Sequence, residues 1–210
     1  PHEMVATDGR LYVTLGRGEA LVEVELSSAA ILRVLPLEGE PHGIAVWGNN
    51  LIITLDKVNE AVVLDRVSLT ELRRYPTGET PHVVAVSGEA VLVTDSRGDT
   101  LRQLEQGTKS IRTGGQPKGI AITGGYAATA DYLGGTLTVA RAGDLSGASS
   151  LSVGAAPVRV TALAGGQVLV SLQGRGEVAL VDLATLSVKR RLKTAARPDG
   201  LCVDPDGRNF

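Results

Sequence analysis

Apolar positions along the chain come in short runs and not in long periodic stretches. Between Pro41 and Thr80 there are four of them, at Gly43–Val46, Leu51–Thr54, Ala61–Leu64 and Glu71–Tyr75. Each is four or five residues long, mostly leucine or β-branched, and bounded by turn residues. Such runs predict strands, because a helix needs a longer segment with its apolar residues on one face. Gly48-Asn49, like Asp8-Gly9 and Asp206-Gly207, supplies the positive φ that a tight hairpin turn requires. The one competing helical stretch, Leu183–Leu192, lacks both length and caps. The pattern therefore predicts four antiparallel strands, A to D, in one unit.

That unit recurs. A proline opens each copy, at Pro1, Pro41, Pro81, Pro117, Pro157 and Pro198. The units are 1–40, 41–80, 81–116, 117–156 and 157–197, with a sixth opening at 198–210. Strand B ends on a hydroxyl in every complete unit, at Leu11–Thr14, Leu51–Thr54, Val91–Thr94, Tyr126–Thr129 and Val168–Ser171, with a one-residue shift possible in the fourth. Strand C ends on an acid at Glu25, Asp65 and Asp182. A 40-residue period with four strands per period predicts an all-β fold, a β-propeller of four-stranded antiparallel blades. The count is five complete blades plus the start of a sixth, with a strand expected at Gly200–Val203. A surplus opening strand makes sense only as part of a larger ring, so the chain reads as a fragment, an open arc with blades one and five not hydrogen-bonded to each other. Strand A, lining the central channel, is expected to be the most buried strand.

Composition narrows the function without naming it. Lys plus Arg number 21 against 23 for Asp plus Glu, a near balance that argues for neither nucleic acid nor a membrane surface as partner. No apolar run reaches the 18 or so residues of a membrane span. The single cysteine, Cys202, precludes an intrachain disulfide and aligns with Ala45, Ala85 and Ala121, which marks it as a small core residue. The glycine pairs lack the following helix and lysine of a phosphate loop, and no serine sits in a strand-to-helix elbow. No catalytic residue, metal site or cofactor is assigned.

The candidate chemistry is a matter of register. All three histidines, His2, His42 and His82, directly follow the opening proline of successive units. Arg17, Lys57 and Arg97 recur at the same spacing in the B–C loops. In an antiparallel blade the start of A and the end of B share one end of the sheet. The six residues therefore gather on one face, near the channel mouth, as an arc able to hold an anionic small molecule or a protein partner. The plainer reading is that the histidines pin the corners and record the common origin of the repeats. Acids at Glu19, Asp56, Glu60, Asp95, Asp99 and Asp131 are expected in the same loops, where they would neutralise much of the arc. Histidines on neighbouring blades point inward at different angles, so they are not expected to converge on a zinc ion.

LYVT at Leu11–Thr14, the runs ending at Asp65 and Asp182, and the openings PHGIAV and PHVVAV resemble the 40-residue YVTN β-propeller repeat. The resemblance spans all five complete units. Unit three is four residues short, unit four lacks the acid that ends strand C, and Val91–Leu104 is also similar to an NHL repeat. The resemblance implies seven blades and a periplasmic or extracellular protein. It leaves three functions open. One is a non-catalytic binding or scaffold propeller. Another is a lactonase-like hydrolase of sugar lactones, for which His42, His82 and Arg97 are the nearest match to a His/Arg/Glu set. The third is a propeller subunit of a periplasmic redox enzyme.

Overall fold

The computed structural model describes residues 1–105 and 109–204. Twenty strands form five separate four-stranded antiparallel sheets, each pairing its strands in chain order. Blade one comprises β1 (Met4–Thr7), β2 (Arg10–Leu15), β3 (Ala20–Glu25) and β4 (Ile31–Pro36). Blade two holds β5 (Pro41–Trp47), β6 (Asn50–Leu55), β7 (Glu60–Asp65) and β8 (Glu71–Pro76). Blade three is β9 (Pro81–Ser87), β10 (Ala90–Asp95), β11 (Thr100–Gln103) and β12 (Lys109–Arg112). Blade four is β13 (Pro117–Thr123), β14 (Tyr126–Asp131), β15 (Thr136–Arg141) and β16 (Ser149–Ser152). Blade five is β17 (Pro157–Leu163), β18 (Gln167–Leu172), β19 (Glu177–Asp182) and β20 (Ser187–Lys193). The stretch with a helical pattern, Leu183–Leu192, lies in a turn and β20. A single 3₁₀ turn, Ala164–Gly166, is the helical element among the described residues.

The blades pack face to face through alternating apolar side chains, as the two-residue period of a strand demands. Tyr12 and Leu21 of blade one meet Ile44, Leu51, Ile53 and Val62 of blade two. Ala128, Leu137 and Val139 of blade four meet Val168, Val170 and Ala179 of blade five. The second strand, and not the channel-lining first one, is the most buried. In β6, β10, β14 and β18 every residue after the first is buried, whereas β1, β5, β9, β13 and β17 are only partly so. The expectation for strand A fails because that strand faces the channel, while strand B has a partner strand on each edge.

Successive blades are stitched at the loop end. The residue before each opening proline has a left-handed backbone, at Glu40 (φ 55°), Thr80 (57°), Gln116 (50°) and Ala156 (53°). Its carbonyl accepts the N–H of the first B–C loop residue of the next blade: Asp56, Ser96, Tyr132 and Gln173 respectively. The strand-B hydroxyl adds a second stitch. Thr54 Oγ1 accepts the Gly43 N–H (2.8 Å) in its own blade and donates to the His82 carbonyl (2.9 Å) of the next. Thr14 does the same with Glu3 and His42, and Ser171 with Arg159 and Asp199. In blade four the hydroxyl is shifted by one, Ala130 stands in its place, and the stitch is missing.

Three expectations are corrected. Residues 200–203 form no strand, although Leu201 and Asp199 still receive the hydroxyls of Thr161 and Ser171. Among the described residues this segment has no neighbouring strand to pair with, and the Asp206-Gly207 turn lies outside them. Cys202 is exposed and not a core residue, for the same reason. Blades one and five share no strand pairing, but Arg159 of β17 hydrogen-bonds the Glu3 carboxylate, so a side-chain contact does join them.

Candidate functional site

The backbone carbonyls of His42 and His82 accept the hydroxyl stitch, which holds these residues at the start of their blades. There the three histidines form a stacked row. The rings of His2 and His42 lie 4.3 Å apart and those of His42 and His82 3.9 Å, tilted by 35° and 36°. His2 sits over Gly16, where any side chain would collide with the ring. His82 Nδ1 lies 2.9 Å from the Lys118 carbonyl. A carbonyl only accepts, so Nδ1 carries the proton of that ring. His42 is buried and its Nδ1 has no hydrogen-bond partner.

This packing removes the charge of His42 and His82. Burial, followed by the His82 and His2 rings, lowers the His42 pKa to about 2. Burial likewise lowers His82 to about 4, with Lys118 and Arg159 adding like charge. Both are neutral at physiological pH, so the positive character of this end comes from arginine and lysine. The rings stack instead of converging. Among the described residues no group of three or more His, Cys, Asp or Glu is arranged to hold a metal ion.

The three loop cations part company. Arg17 lines a cavity of about 480 Å³ with Pro1 and His2. Lys57 pairs with Glu40 at 2.8 Å. Lys57 and Arg97 line a second cavity, of about 360 Å³, with Glu40, Asp56, Asn59, Glu79 and Thr80. Arg17 and Arg97 are exposed, and their side chains make no hydrogen bond or ion pair among the described residues.

The acids divide as well. Asp95 and Asp131, expected in the loops, end β10 and β14 and are fully buried. Asp95 accepts from Gly78 N, Thr100 and Arg102, the last at 2.9 Å. Asp131 accepts from Gly114 N, Thr129, Thr136 and Thr138. Neither can neutralise a surface cation. Asp99 accepts the Gln116 N–H at 2.7 Å and pins a connection. Asp56 is different: its Oδ1 is buried without a hydrogen-bond partner. Burial and the neighbouring Glu40 push its carboxyl up to about 6, against the pull of Arg97.

Register reasoning found the histidines and the cations but missed Asp56 as a distinct group. Its signal was available: it is the first residue after a strand-B leucine, where Gly16, Ser96, Tyr132 and Gln173 stand in the other blades. It also missed Arg159, whose position carries Glu3, Gly43, Val83 and Gly119 elsewhere.

No protein-family model matches the chain, and no curated protein does either. Solved structures do. A catalytically inactive variant of virginiamycin B lyase from Staphylococcus aureus, with quinupristin, superposes with a TM-score of 0.84 at 14% identity, over 96% of this chain and 73% of that one. A nidogen/laminin complex gives 0.73 at 16% identity, over 92% and 80%. Hsv2 from Kluyveromyces lactis gives 0.68 at 15%, over 95% and 66%. At these identities the likeness is one of fold, and it is to β-propellers.

Proposed function

We propose that this propeller is a non-catalytic binding module that receives a protein partner or an anionic small molecule over its loop end. The observation that carries this is the pair Arg17 and Arg97, exposed and unpaired, in equivalent places on blades one and three. His2, His42 and His82 stack in a row, His2 lining the same cavity as Arg17, and Lys57, held by Glu40, stands between the two arginines in sequence register. The nidogen/laminin complex is an instance of a propeller of this shape in a protein assembly. At low salt an oligoglutamate peptide should bind, and Arg17→Ala with Arg97→Ala should weaken it about tenfold, two rim charges at about 0.7 kcal/mol each. Titration calorimetry with equal affinity for both proteins, or no binding to either, sinks the reading.

A second reading, a lactonase-like hydrolase, draws support from Asp56, a carboxyl poised near neutral pH beside an arginine. Its test is hydrolysis of a sugar lactone above the spontaneous rate, abolished by Asp56→Asn. The redox-subunit reading and a periplasmic or extracellular location rest on the repeat resemblance alone. So does membership of a seven-bladed ring.

A further inference from the structure

The cavity between blades two and three is lined by charges of both signs that do not all cancel internally. Glu40 and Lys57 satisfy each other. The side-chain oxygen of Asn59 is committed to the Thr80 N–H at 2.9 Å. Three ionisable groups remain: Asp56, Glu79 and Arg97. Arg97 and Asp56 feel each other's charge, yet no ion pair joins them. A buried carboxylate oxygen without a donor costs free energy, whereas the exposed Arg97 guanidinium is open to an incoming acceptor. Both residues line the cavity, which at about 360 Å³ is within the size range of small-ligand sites.

The charges select the ligand. A simple anion on Arg97 would also face Glu40, Asp56 and Glu79. A simple cation at the carboxylates would face Lys57 and Arg97. A molecule carrying an ammonium and a carboxylate a few atoms apart meets both sets with the right sign. We propose that this cavity binds a zwitterionic ligand of the α-amino-acid type, its ammonium donating to Asp56 and Glu79 and its carboxylate accepting from Arg97. The proposal deepens the reading above, that the loop end receives a ligand, and rests on it.

The test is titration calorimetry on the chain as it stands, with L-serine, L-lysine and L-aspartate as probes and with propionate and propylamine as single-charge controls. At least one amino acid should bind about tenfold or more tightly than either control, the worth of one added charge-assisted hydrogen bond. Asp56→Asn and Arg97→Ala should each lower that affinity by about tenfold. Asp56→Asn keeps the side chain's shape, Arg97 is exposed, and a melting curve checks that both variants fold. If propionate binds as well as any amino acid and Asp56→Asn changes nothing, the zwitterion proposal falls while the anionic loop end stands. If no amino acid gives heat and the oligoglutamate peptide still binds, the same conclusion follows. If neither binds, both fall.

Discussion

The connections between blades are built in two chemistries on one backbone. Entering blades two and five, the chain buries an apolar pair: Leu37 against Leu55, and Val153 against Leu172. Entering blades three and four, the leucine becomes a buried aspartate, Asp95 or Asp131, and the residue opposite becomes Thr77 or Thr113 followed by glycine. The aspartate is accompanied by its donors. Thr100 and Arg102 in blade three, and Thr136 and Thr138 in blade four, replace Glu60 and Val62 of blade two. Gly78 and Gly114 are required because a side chain at either would run into the aspartate or its threonine partner. A buried carboxylate is therefore tolerated only as a set of four or five residues changed together.

Splitting a set should produce the largest effects. Leu172→Asp inserts the carboxylate without its donors, and denaturant unfolding should show a loss of at least about 4 kcal/mol. Asp95→Leu strands the Arg102 guanidinium, whose side chain is 19% exposed, and should cost about 3 kcal/mol. Adding Arg102→Val, the residue type of blade two, should then recover at least about 1 kcal/mol. Independent costs for the two changes would break the comparison.

Proton uptake sharpens the same contrast. The His82 pKa is lowered to about 4 in the folded chain, so its neutral form contributes stability that is full above the unfolded value near 6.5. That contribution declines as pH falls towards 4, by about 3 kcal/mol at the lower end. His42, lowered further, acts in the same direction. Asp131 acts in the opposite one. Burial raises its pKa despite four hydrogen bonds, so the folded chain holds that proton more tightly and this connection is relatively favoured as pH falls. Unfolding midpoints measured from pH 7.5 to 4.5 should fall for the native chain and fall less for His82→Gln. Parallel slopes would show that the row does not titrate as its packing implies.

The smallest effect concerns the hydroxyl stitch. Thr54→Val removes one bond within blade two and one to blade three and should lower stability by about 1 kcal/mol. The matching change in blade four, Ala130→Thr, puts the missing hydroxyl next to Asp131. Thermal melting that leaves Thr54→Val unchanged would make the stitch incidental.

The strands and their grouping into four-stranded antiparallel sheets were legible because repetition writes each of them several times, whereas the stacking of His2, His42 and His82 was not. Nor was the neutrality of His42 and His82, which comes from burial that spacing alone does not reveal. Asp95 and Asp131 were misplaced in loops because an acid beside a turn looks solvated. Comparing them with Leu55 and Leu172 in register, together with the Thr-Gly ahead of each, exposes the substitution. The contact from Arg159 to Glu3 and the Asp56 cavity lie between repeats, where periodicity carries no information.

The hydroxyl stitch has a direction. Thr14 and Thr54 each reach a carbonyl that lies 28 residues further along the chain, in the next blade. During translation a blade is thus left with an unfinished edge until the proline and histidine of its successor have emerged from the ribosome. At Thr14, Thr54 and Ser171 the later repeat therefore completes the one before it. A gene duplication that adds a whole repeat brings along both the hydroxyl and the carbonyl needed to join it at either side.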